Sequence, residues 1–185
     1  MTKVFIGGSR RASRLNADVR RRIDRIMEQC FDVVVGDANG ADRAVQRHLH
    51  DAGFRQVEVF CSGDVPRNNI GDWRVRSVDV APGARRDRAF YTAKDRVMTD
   101  EATVGLMIWD GASVGTLSNV LRLLLQGKKV VLHSTEARAF VDFRSLADWR
   151  AFAATIDSDV RDKVEGSVHT EGSDDAPRSQ APLFG

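Results

Sequence analysis

The sequence has few cysteines and no long apolar run. Its two cysteines, Cys30 and Cys61, form no CxxC pair and have no histidine pair beside them, which excludes a disulfide-built domain and a zinc finger. We expect both to be buried free thiols in a reducing compartment. No stretch approaches the roughly 20 apolar residues that span a bilayer, and the first apolar run is too short for a signal-peptide core. The sequence therefore predicts a cytoplasmic protein with no membrane segment.

An excess of charge of one sign is also lacking, because the net charge is only +2. Seven arginines lie within residues 10–25. An anionic ligand near the first loop is one explanation of these early arginines, and a solvated helix face over residues 20–25 is the other. The near-neutral balance argues against a DNA-transaction protein. The arginines of the beginning are Arg10, Arg11, Arg14, Arg20, Arg21, Arg22 and Arg25, and the carboxylates of the end are Asp157, Asp159, Asp162, Glu165, Glu171, Asp174 and Asp175.

Short β-branched runs alternate with amphipathic stretches, which is the pattern of βαβ units. A chain of 185 residues suits a single domain. The pattern predicts an α/β fold, a Rossmann-like open parallel sheet of about five strands with helices on both faces. The predicted strands are residues 3–6, 32–35, 56–60, 103–109 and 129–133, and the predicted helices are residues 16–29, 39–52, 88–100 and 116–126.

Two later stretches depart from this alternation. Residues 61–86 have no clear period and contain prolines, glycines and asparagines, so we expect a long loop that is functional or mobile. Ser145 and Asp148 form an N-cap pattern that begins a short helix. Beyond that helix the chain is acidic and rich in Gly and Ser. The sequence predicts a domain over residues 1–156 and a disordered acidic tail over residues 157–185.

Three glycine-containing segments each follow a predicted strand. Ligands of open parallel sheets bind at the carboxyl ends of the strands, so this placement predicts a binding site. In the first segment, Gly7 and Gly8 let the backbone turn and approach a ligand. Ser9 and Arg10 can donate hydrogen bonds to phosphate oxygens. The alternative is an ordinary strand-to-helix turn.

The second segment begins the second helix and directs its free N–H groups toward the same edge of the sheet. A phosphate or carboxylate can dock there. Two carboxylates facing one phosphate would repel it, so we expect at least one of Asp37 and Asp42 to be structural. Asp42 suits the positive end of the helix dipole. The candidate residues of this segment are Gly36, Asp37, Asn39, Gly40 and Asp42.

The third segment ends an apolar strand and starts the fourth helix. Gly115 permits close approach, Thr116 offers a hydroxyl and a backbone N–H, and Ser113 lies where a helix terminus would hold an anion. A capped helix without a ligand is the alternative. The candidate residues here are Asp110, Gly111, Ser113, Gly115, Thr116 and Asn119.

Together with the KDRVM run of residues 94–98 and the pair Gly127-Lys128, these segments resemble the SLOG superfamily. This Rossmann-like group includes the Lonely-guy phosphoribohydrolases and the DNA-processing proteins. The resemblance covers about residues 3–134 and is closest to the small uncharacterised members. It implies that the turns hold a nucleotide, a nucleotide-sugar or another nucleotide derivative. From the third helix, Asp87, Tyr91 and Lys94 share a spacing that can line such a pocket, with simple packing as the alternative for Tyr91.

One position departs from the Lonely-guy pattern. Those enzymes carry PGGxGTxxE, whose glutamate acts in cleaving the base from the ribose phosphate, and this sequence has Asn119 at that place. An amide cannot act as a general base or stabilise an oxocarbenium ion by charge. Asp110 and Asp95 are the nearby carboxylates that can substitute as catalytic residues. For Asp110 the alternative is a turn residue, and for Asp95 it is an ion pair with Arg88 or Arg96.

These residues favour a nucleotide-binding sensor or regulatory module with no cofactor. His48 and His50 diverge on their helix, so no metal site is predicted. The alternatives are a nucleotide-processing enzyme, either an N-glycosidic hydrolase or a deoxyribosyltransferase-like catalyst, and a DNA-transaction protein. Near the end, Gln180, Leu183 and Phe184 resemble the motif by which bacterial proteins dock on the DNA sliding clamp, unless they match by chance or pack on the domain. A homo-oligomer is left open.

Overall fold

The computed structural model describes residues 1–79 and 88–174, and there strands and helices alternate along the chain. Residues 80–87, with Asp87, and residues 175–185, with the QAPLF motif, lie outside this part. The strands are β1 Lys3–Gly8, β2 Asp32–Gly36, β3 Val57–Ser62, β4 Arg74–Val78, β5 Val104–Trp109, β6 Lys129–Ser134 and β7 Ala139–Phe143. The helices are α1 Ala17–Glu28, α2 Ala41–Asp51, α3 Arg88–Glu101, α4 Val114–Leu125, α5 Leu146–Ala153 and α6 Ser158–Asp174.

The strands form one sheet in the order β4-β3-β2-β1-β5-β6-β7. Strands β1 to β6 pair in parallel, and β7 pairs antiparallel with β6. The five predicted strands form its centre, so the predicted Rossmann-like α/β fold is confirmed. The sequence does not predict the two edge strands, because β4 lies inside the stretch interpreted as a loop and β7 returns after the short turn of residues 135–138.

Alternating side chains of the strands build a separate core on each face of the sheet. Val4 and Ile6 of β1 pack in the core that contains α1 and α2. Phe5, between them in the sequence, packs in the core that contains α3, α4, α5 and α6. Helices therefore cover both faces, as predicted.

Helix α6 corrects the expectation of a disordered tail for residues 158–174. Val160, Val164 and Val168 recur at four-residue spacing, and Val164 and Val168 are buried in the core with α4. Ser118 of α4 and Ser167 of α6 join their hydroxyl groups at 3.0 Å. One small apolar residue per turn is a weak signal in an acidic sequence, and it is sufficient here because α4 offers an apolar face for it.

The two cysteines differ in burial. Cys61 is buried as expected, whereas Cys30 is exposed. The prediction is wrong for Cys30 because this residue lies in the turn that ends α1, with a φ of 52°, at the surface of the domain. In the described ranges, no helix combines the length and the apolar character that crossing a membrane would need.

Candidate functional site

The sheet order brings the three glycine-containing segments together. Strand β1 lies between β2 and β5, and the chain builds β2 to β4 on one side of β1 and β5 to β7 on the other. This reversal is a topological switch point, where the loops diverge and leave a crevice at the carboxyl ends of the strands. A cleft of about 640 Å³ lies there.

The predicted residues divide into three groups by position. Ser9, Gly36, Asp37 and Gly111 do not line the cleft, and Asn39 and Gly40 line a separate groove of about 530 Å³. The cleft is where the sequence analysis expects a ligand, and most of its candidates meet there. The predicted residues that line it are Gly7, Gly8, Arg10, Asp42, Tyr91, Lys94, Asp95, Asp110, Ser113, Gly115, Thr116 and Asn119.

The first loop is tied to the third. Ser9 is 1% exposed, its N–H donates to the carbonyl of Ile108 at 2.8 Å, and its Oγ accepts from the N–H of Asp110 at 3.1 Å. A Cβ on Gly8 would lie 2.2 Å from the Ile108 carbonyl oxygen, so only glycine fits between β1 and β5. Ser9 and Gly8 thus hold the loops together, which differs from the expectation that Ser9 donates to a phosphate.

The third loop caps α4. The Oδ1 of Asp110 accepts from the N–H of Ser113 at 2.8 Å, and the Oγ of Ser113 accepts from the N–H of Thr116 at 3.4 Å. Asp110 is therefore the turn residue that the sequence analysis weighs against catalysis. Within the described part of the chain, the N–H groups of Val114 and Gly115 have no hydrogen-bond acceptor. Both residues line the cleft, and a Cβ on Gly115 would meet no atom within 4 Å.

The start of α2 is closed. Gly40 adopts a φ of 84°, and a Cβ there would lie 2.2 Å from the carbonyl oxygen of Arg10. The first N–H of the helix, that of Ala41, donates to the carbonyl of Ser9 at 3.1 Å. The first loop therefore occupies the position where the sequence analysis expects a phosphate.

A buried lysine sits among three carboxylates at the base of the cleft. Lys94 is 4% exposed, and its Nζ lies 3.1 Å from Asp95 Oδ1 and 3.8 Å from the carboxylates of Asp37 and Asp42. Burial lowers the pKa of Lys94, but the charges of Asp95, Asp42 and Asp37 outweigh burial, so its pKa is raised. The amine therefore stays protonated and offsets part of the negative charge of the cluster.

The pKa values of the two carboxylates of the second segment are shifted in opposite directions. Complete burial, only partly offset by the charge of Lys94, raises the pKa of Asp42 to about 6. For Asp37, burial is outweighed by hydrogen bonds from Arg67 and by the charge of Lys94, which lower the pKa. The Oδ2 of Asp42 accepts from the N–H of Ala38 at 3.1 Å. Both carboxylates have structural partners, although Asp42 also lines the cleft.

Arg67 is a cleft residue that the sequence analysis misses. Its Nη2 and Nε donate to the two carboxylate oxygens of Asp37 at 2.7 and 2.9 Å, and its guanidinium lies 4.5 Å from the ring centre of Tyr91. Arg10 lies 5.5 Å from the same ring. The sequence signal that could have found Arg67 is the stretch of residues 61–86 after β3, which the sequence analysis expects to be a functional or mobile loop. Thr92 also lines the cleft without having been predicted, and so does Arg11, one of the early arginines for which a ligand is one of the two explanations.

Asp95 and Asn119 are neighbours in the cleft. The Nδ2 of Asn119 donates to Asp95 Oδ2 at 3.4 Å, and the Oδ1 of Asn119 accepts from Arg122. Asp95 is held by Lys94 and Asn119, partners that the sequence analysis does not consider. No group of three or more potential metal-ligating side chains occurs within residues 1–79 and 88–174.

No protein-family model and no curated protein matches this sequence. Among solved structures, the chain is similar to DNA processing protein A (DprA) from Streptococcus pneumoniae, with a TM-score of 0.54 and 20% identity. The similarity covers 71% of this chain and 50% of that chain, so the chain spans about half the length of this relative. At this identity the similarity concerns the fold, and the chain has a Rossmann-like fold of the DprA type.

Proposed function

We propose that the cleft binds a phosphate-bearing nucleotide or nucleotide derivative. The observation that carries the proposal is one opening at the switch point, where the free N–H groups of Val114 and Gly115 at the start of α4 lie together with arginines and an aromatic ring. The N–H groups of Val114 and Gly115 suit phosphate oxygens, because a helix N-terminus carries free donors and partial positive charge. Arg10 and Arg11 add full charges beside the same cleft.

The other wall suits a base. Tyr91 lines the cleft, and the guanidinium groups of Arg10 and Arg67 both lie over its ring. Aromatic and guanidinium planes are the surfaces on which bases stack. Phe5 and Met98, which belong to the core, also line the cleft, so it contains apolar as well as charged surface.

Calorimetry and thermal shift across a panel of nucleoside mono-, di- and triphosphates and nucleotide-sugars test this function. Replacing Gly115 by Leu projects a side chain into open cleft space, so binding should be lost while the fold persists. Gly166→Leu is the matched control, because Gly166 is also a helical glycine with no atom near its Cβ position, and it does not line the cleft. Arg10→Ala should weaken binding by about 1.5–3 kcal/mol.

The proposal is wrong if no compound of the panel shifts the melting temperature or gives a calorimetric signal. It is equally wrong if Gly115→Leu binds as tightly as Gly166→Leu.

A second candidate is catalysis at Asp95. Its carboxylate lies in the cleft and accepts a hydrogen bond from Asn119, the residue that replaces the Lonely-guy glutamate. A carboxylate beside a bound nucleotide can stabilise positive charge on the ribose as the base departs. Chromatography should then show release of free base from a nucleotide that binds, and Asp95→Asn should abolish the release. If the wild-type protein binds the nucleotide but releases no free base, the catalytic candidate is wrong and a sensor or regulatory function remains.

The similarity to a DNA processing protein raises a third candidate, a role with DNA. The chain spans half of that protein, and the fold alone does not carry its activity over. A DNA-related role therefore needs a surface of this chain that fits a nucleic acid.

A further inference from the structure

Asp95 is the most accessible carboxylate of the cluster at the base of the cleft. Its side chain is 21% exposed, whereas the side chains of Asp37 and Asp42 are 4% and 6% exposed. Asp95 lies on α3 and lines the cleft, and the buried Lys94 beside it faces the other two carboxylates as well. A ligand that enters the cleft therefore meets Asp95 as the main acceptor group of this cluster.

The carboxylate of Asp95 has acceptor positions left for a ligand. Its Oδ1 accepts a hydrogen bond from Lys94 Nζ at 3.1 Å, and its Oδ2 accepts one from Asn119 Nδ2 at 3.4 Å. Across residues 1–79 and 88–174, no other group donates a hydrogen bond to it. A carboxylate has about four acceptor positions, two on each oxygen. One position on each oxygen of Asp95 is therefore open.

Asn119 holds this carboxylate in place. Its Oδ1 accepts a hydrogen bond from Arg122, and because a guanidinium has donors only, the NH₂ group of the amide points to Asp95. Asn119 and Arg122 are both buried in α4, so the pair is part of the wall of the cleft. In the place of the Lonely-guy glutamate, this chain thus has a positioning residue for a carboxylate that comes from α3.

The helical repeat places Asp95 between the regions proposed for phosphate and base. On α4, Asn119 lies one turn after Gly115, about 6 Å along the axis and on the same face. On α3, Asp95 lies one turn after Tyr91, and all four residues line the cleft. The step along α4 is comparable to the separation between the 5′-phosphate of a nucleotide and its 2′- and 3′-hydroxyl groups. A nucleotide with its phosphate at Gly115 and its base at Tyr91 therefore has its ribose beside Asp95.

We propose that Asp95 accepts hydrogen bonds from the 2′- and 3′-hydroxyl groups of a ribose, so that the cleft selects ribonucleotides over 2′-deoxyribonucleotides. This rests on the proposed function, because it requires a nucleotide in the cleft. Two neighbouring hydroxyl groups match the two open acceptor positions, whereas a phosphate is repelled by the like charge of the carboxylate. A DNA strand lacks the 2′-hydroxyl, and its internal 3′-oxygens carry no proton. The cleft therefore distinguishes a free ribonucleotide from DNA.

Calorimetry at pH 7 compares ribonucleoside 5′-mono-, di- and triphosphates with their 2′-deoxy counterparts. For the base and phosphate number that bind best, the ribonucleotide should bind about ten-fold tighter or more, the factor typical of one hydrogen bond to a charged group. The 3′-deoxynucleotide of the same base should also bind more weakly. Asp95→Asn removes the charge and one acceptor oxygen, so the ratio of ribonucleotide to 2′-deoxynucleotide affinity should fall to about three or less.

Asp100→Asn is the matched control, because Asp100 lies on the same helix, is exposed and does not line the cleft. It should keep the wild-type ratio of affinities. Asn119→Leu tests the positioning role, since it removes the amide while Asp95 keeps both oxygens, and it should lower the ratio less than Asp95→Asn does. The ratio compares two ligands on one protein, so a general loss of stability does not change it. Thermal melts check that each variant is folded.

Equal binding of ribonucleotides and 2′-deoxynucleotides by the wild type would overturn the role of Asp95 and leave nucleotide binding in the cleft standing. A wild-type ratio in Asp95→Asn would overturn it too, because another group then recognises the sugar. A wild-type ratio in Asn119→Leu would overturn the positioning role of the amide alone. If no nucleotide of either series binds to the wild type, the proposed function itself is wrong, and the recognition of ribose falls with it.

Discussion

Two helices begin beside the first loop, and their starts are built in opposite ways. At α2, Gly40 leaves no space for a Cβ, and the Ser9 carbonyl takes the first N–H. At α4, a Cβ on Gly115 would meet nothing, and the first N–H groups line the cleft. Both starts have a glycine and a small polar residue after an apolar strand. What separates a closed start from an open one is therefore the segment that packs against it.

Electrostatics show the same division. The closed start carries Asp42, which is buried within the protein and lies 3.8 Å from the ammonium group of Lys94. The open start has no acidic residue in its first turn, so an anion bound there would meet no carboxylate of that turn. One helix start is satisfied by the protein itself, and the other leaves the N–H groups of Val114 and Gly115 free beside the cleft.

The largest expected effect comes from removing the ammonium group of Lys94, which lies 3.8 Å from Asp42 at the closed start of α2. Lys94→Met leaves Asp37, Asp42 and Asp95 close together without their shared cation, and breaking a buried ion pair by removing one partner costs about 3–5 kcal/mol. Urea unfolding measures the free energy of unfolding. Lys163→Met, at an exposed site on α6, is the control and should change it by less than about 0.5 kcal/mol. Equal stability of the two variants would show that the cluster does not hold the start of α2.

The second effect is backbone strain at the closed start. Gly40→Ala forces a side chain into a conformation with a φ of 84°, against the backbone of Arg10. Such a conformation costs on the order of 2–3 kcal/mol for a residue with a Cβ. Thermal and urea unfolding should both show the loss. An unchanged midpoint would mean that the first loop moves away from α2 at little cost, which would contradict the closed start.

The position of both helix starts is predictable from the sequence, but their difference is not. The predicted strands and the rule that ligands bind at strand carboxyl ends place Gly40 and Gly115 at one edge of the sheet. The state of each start depends on contacts between segments far apart in the chain. Ser9 meets Thr116 across 107 residues, and Arg67 meets Asp37 across 30. No local pattern encodes these contacts.

The arginines illustrate the same limit. The sequence analysis leaves two explanations open for the early arginines, a ligand or a solvated helix face. The structure divides them, because Arg21 pairs with Asp18 while Arg14 and Arg20 join Arg43 of α2 around one groove. A groove between two helices and a loop has no signature in any one of them.

The third prediction uses pH to compare the two carboxylates of the closed start. The pKa of Asp42 rises from 3.8 to about 6 on folding, so the folded state binds the proton more tightly than the unfolded state. The contribution of this proton to the free energy of unfolding is fully present below about pH 4 and is lost as the pH rises through about 6. Asn mimics the protonated carboxyl. The stability of Asp42→Asn relative to the wild type should therefore rise by roughly 1–3 kcal/mol between pH 4 and pH 7.

Asp37 provides the control of opposite sign. Its pKa is lowered in the folded protein, so its stabilising contribution is present above the unfolded value and is lost as the pH falls. Between pH 4 and pH 7 that contribution is already present, so the stability of Asp37→Asn relative to the wild type should stay nearly constant while that of Asp42→Asn rises. Urea unfolding at pH 4, 5, 6 and 7 measures both variants. Parallel pH profiles for the two would contradict the assignment of Asp42 as buried and Asp37 as paired.

The smallest effect concerns the open start, where the same substitution that strains α2 should stabilise α4. Gly115→Ala meets no atom, and alanine is favoured over glycine in helices, so the free energy of unfolding should rise by about 0.5 kcal/mol. Binding of a nucleotide should nevertheless weaken, because the added methyl group lies beside the N–H groups assigned to the phosphate. Gly166→Ala, the control in α6, should raise stability without changing affinity. If Gly115→Ala instead destabilises the protein as Gly40→Ala does, then the start of α4 is closed too, and the cleft has no free helix donors to offer a phosphate.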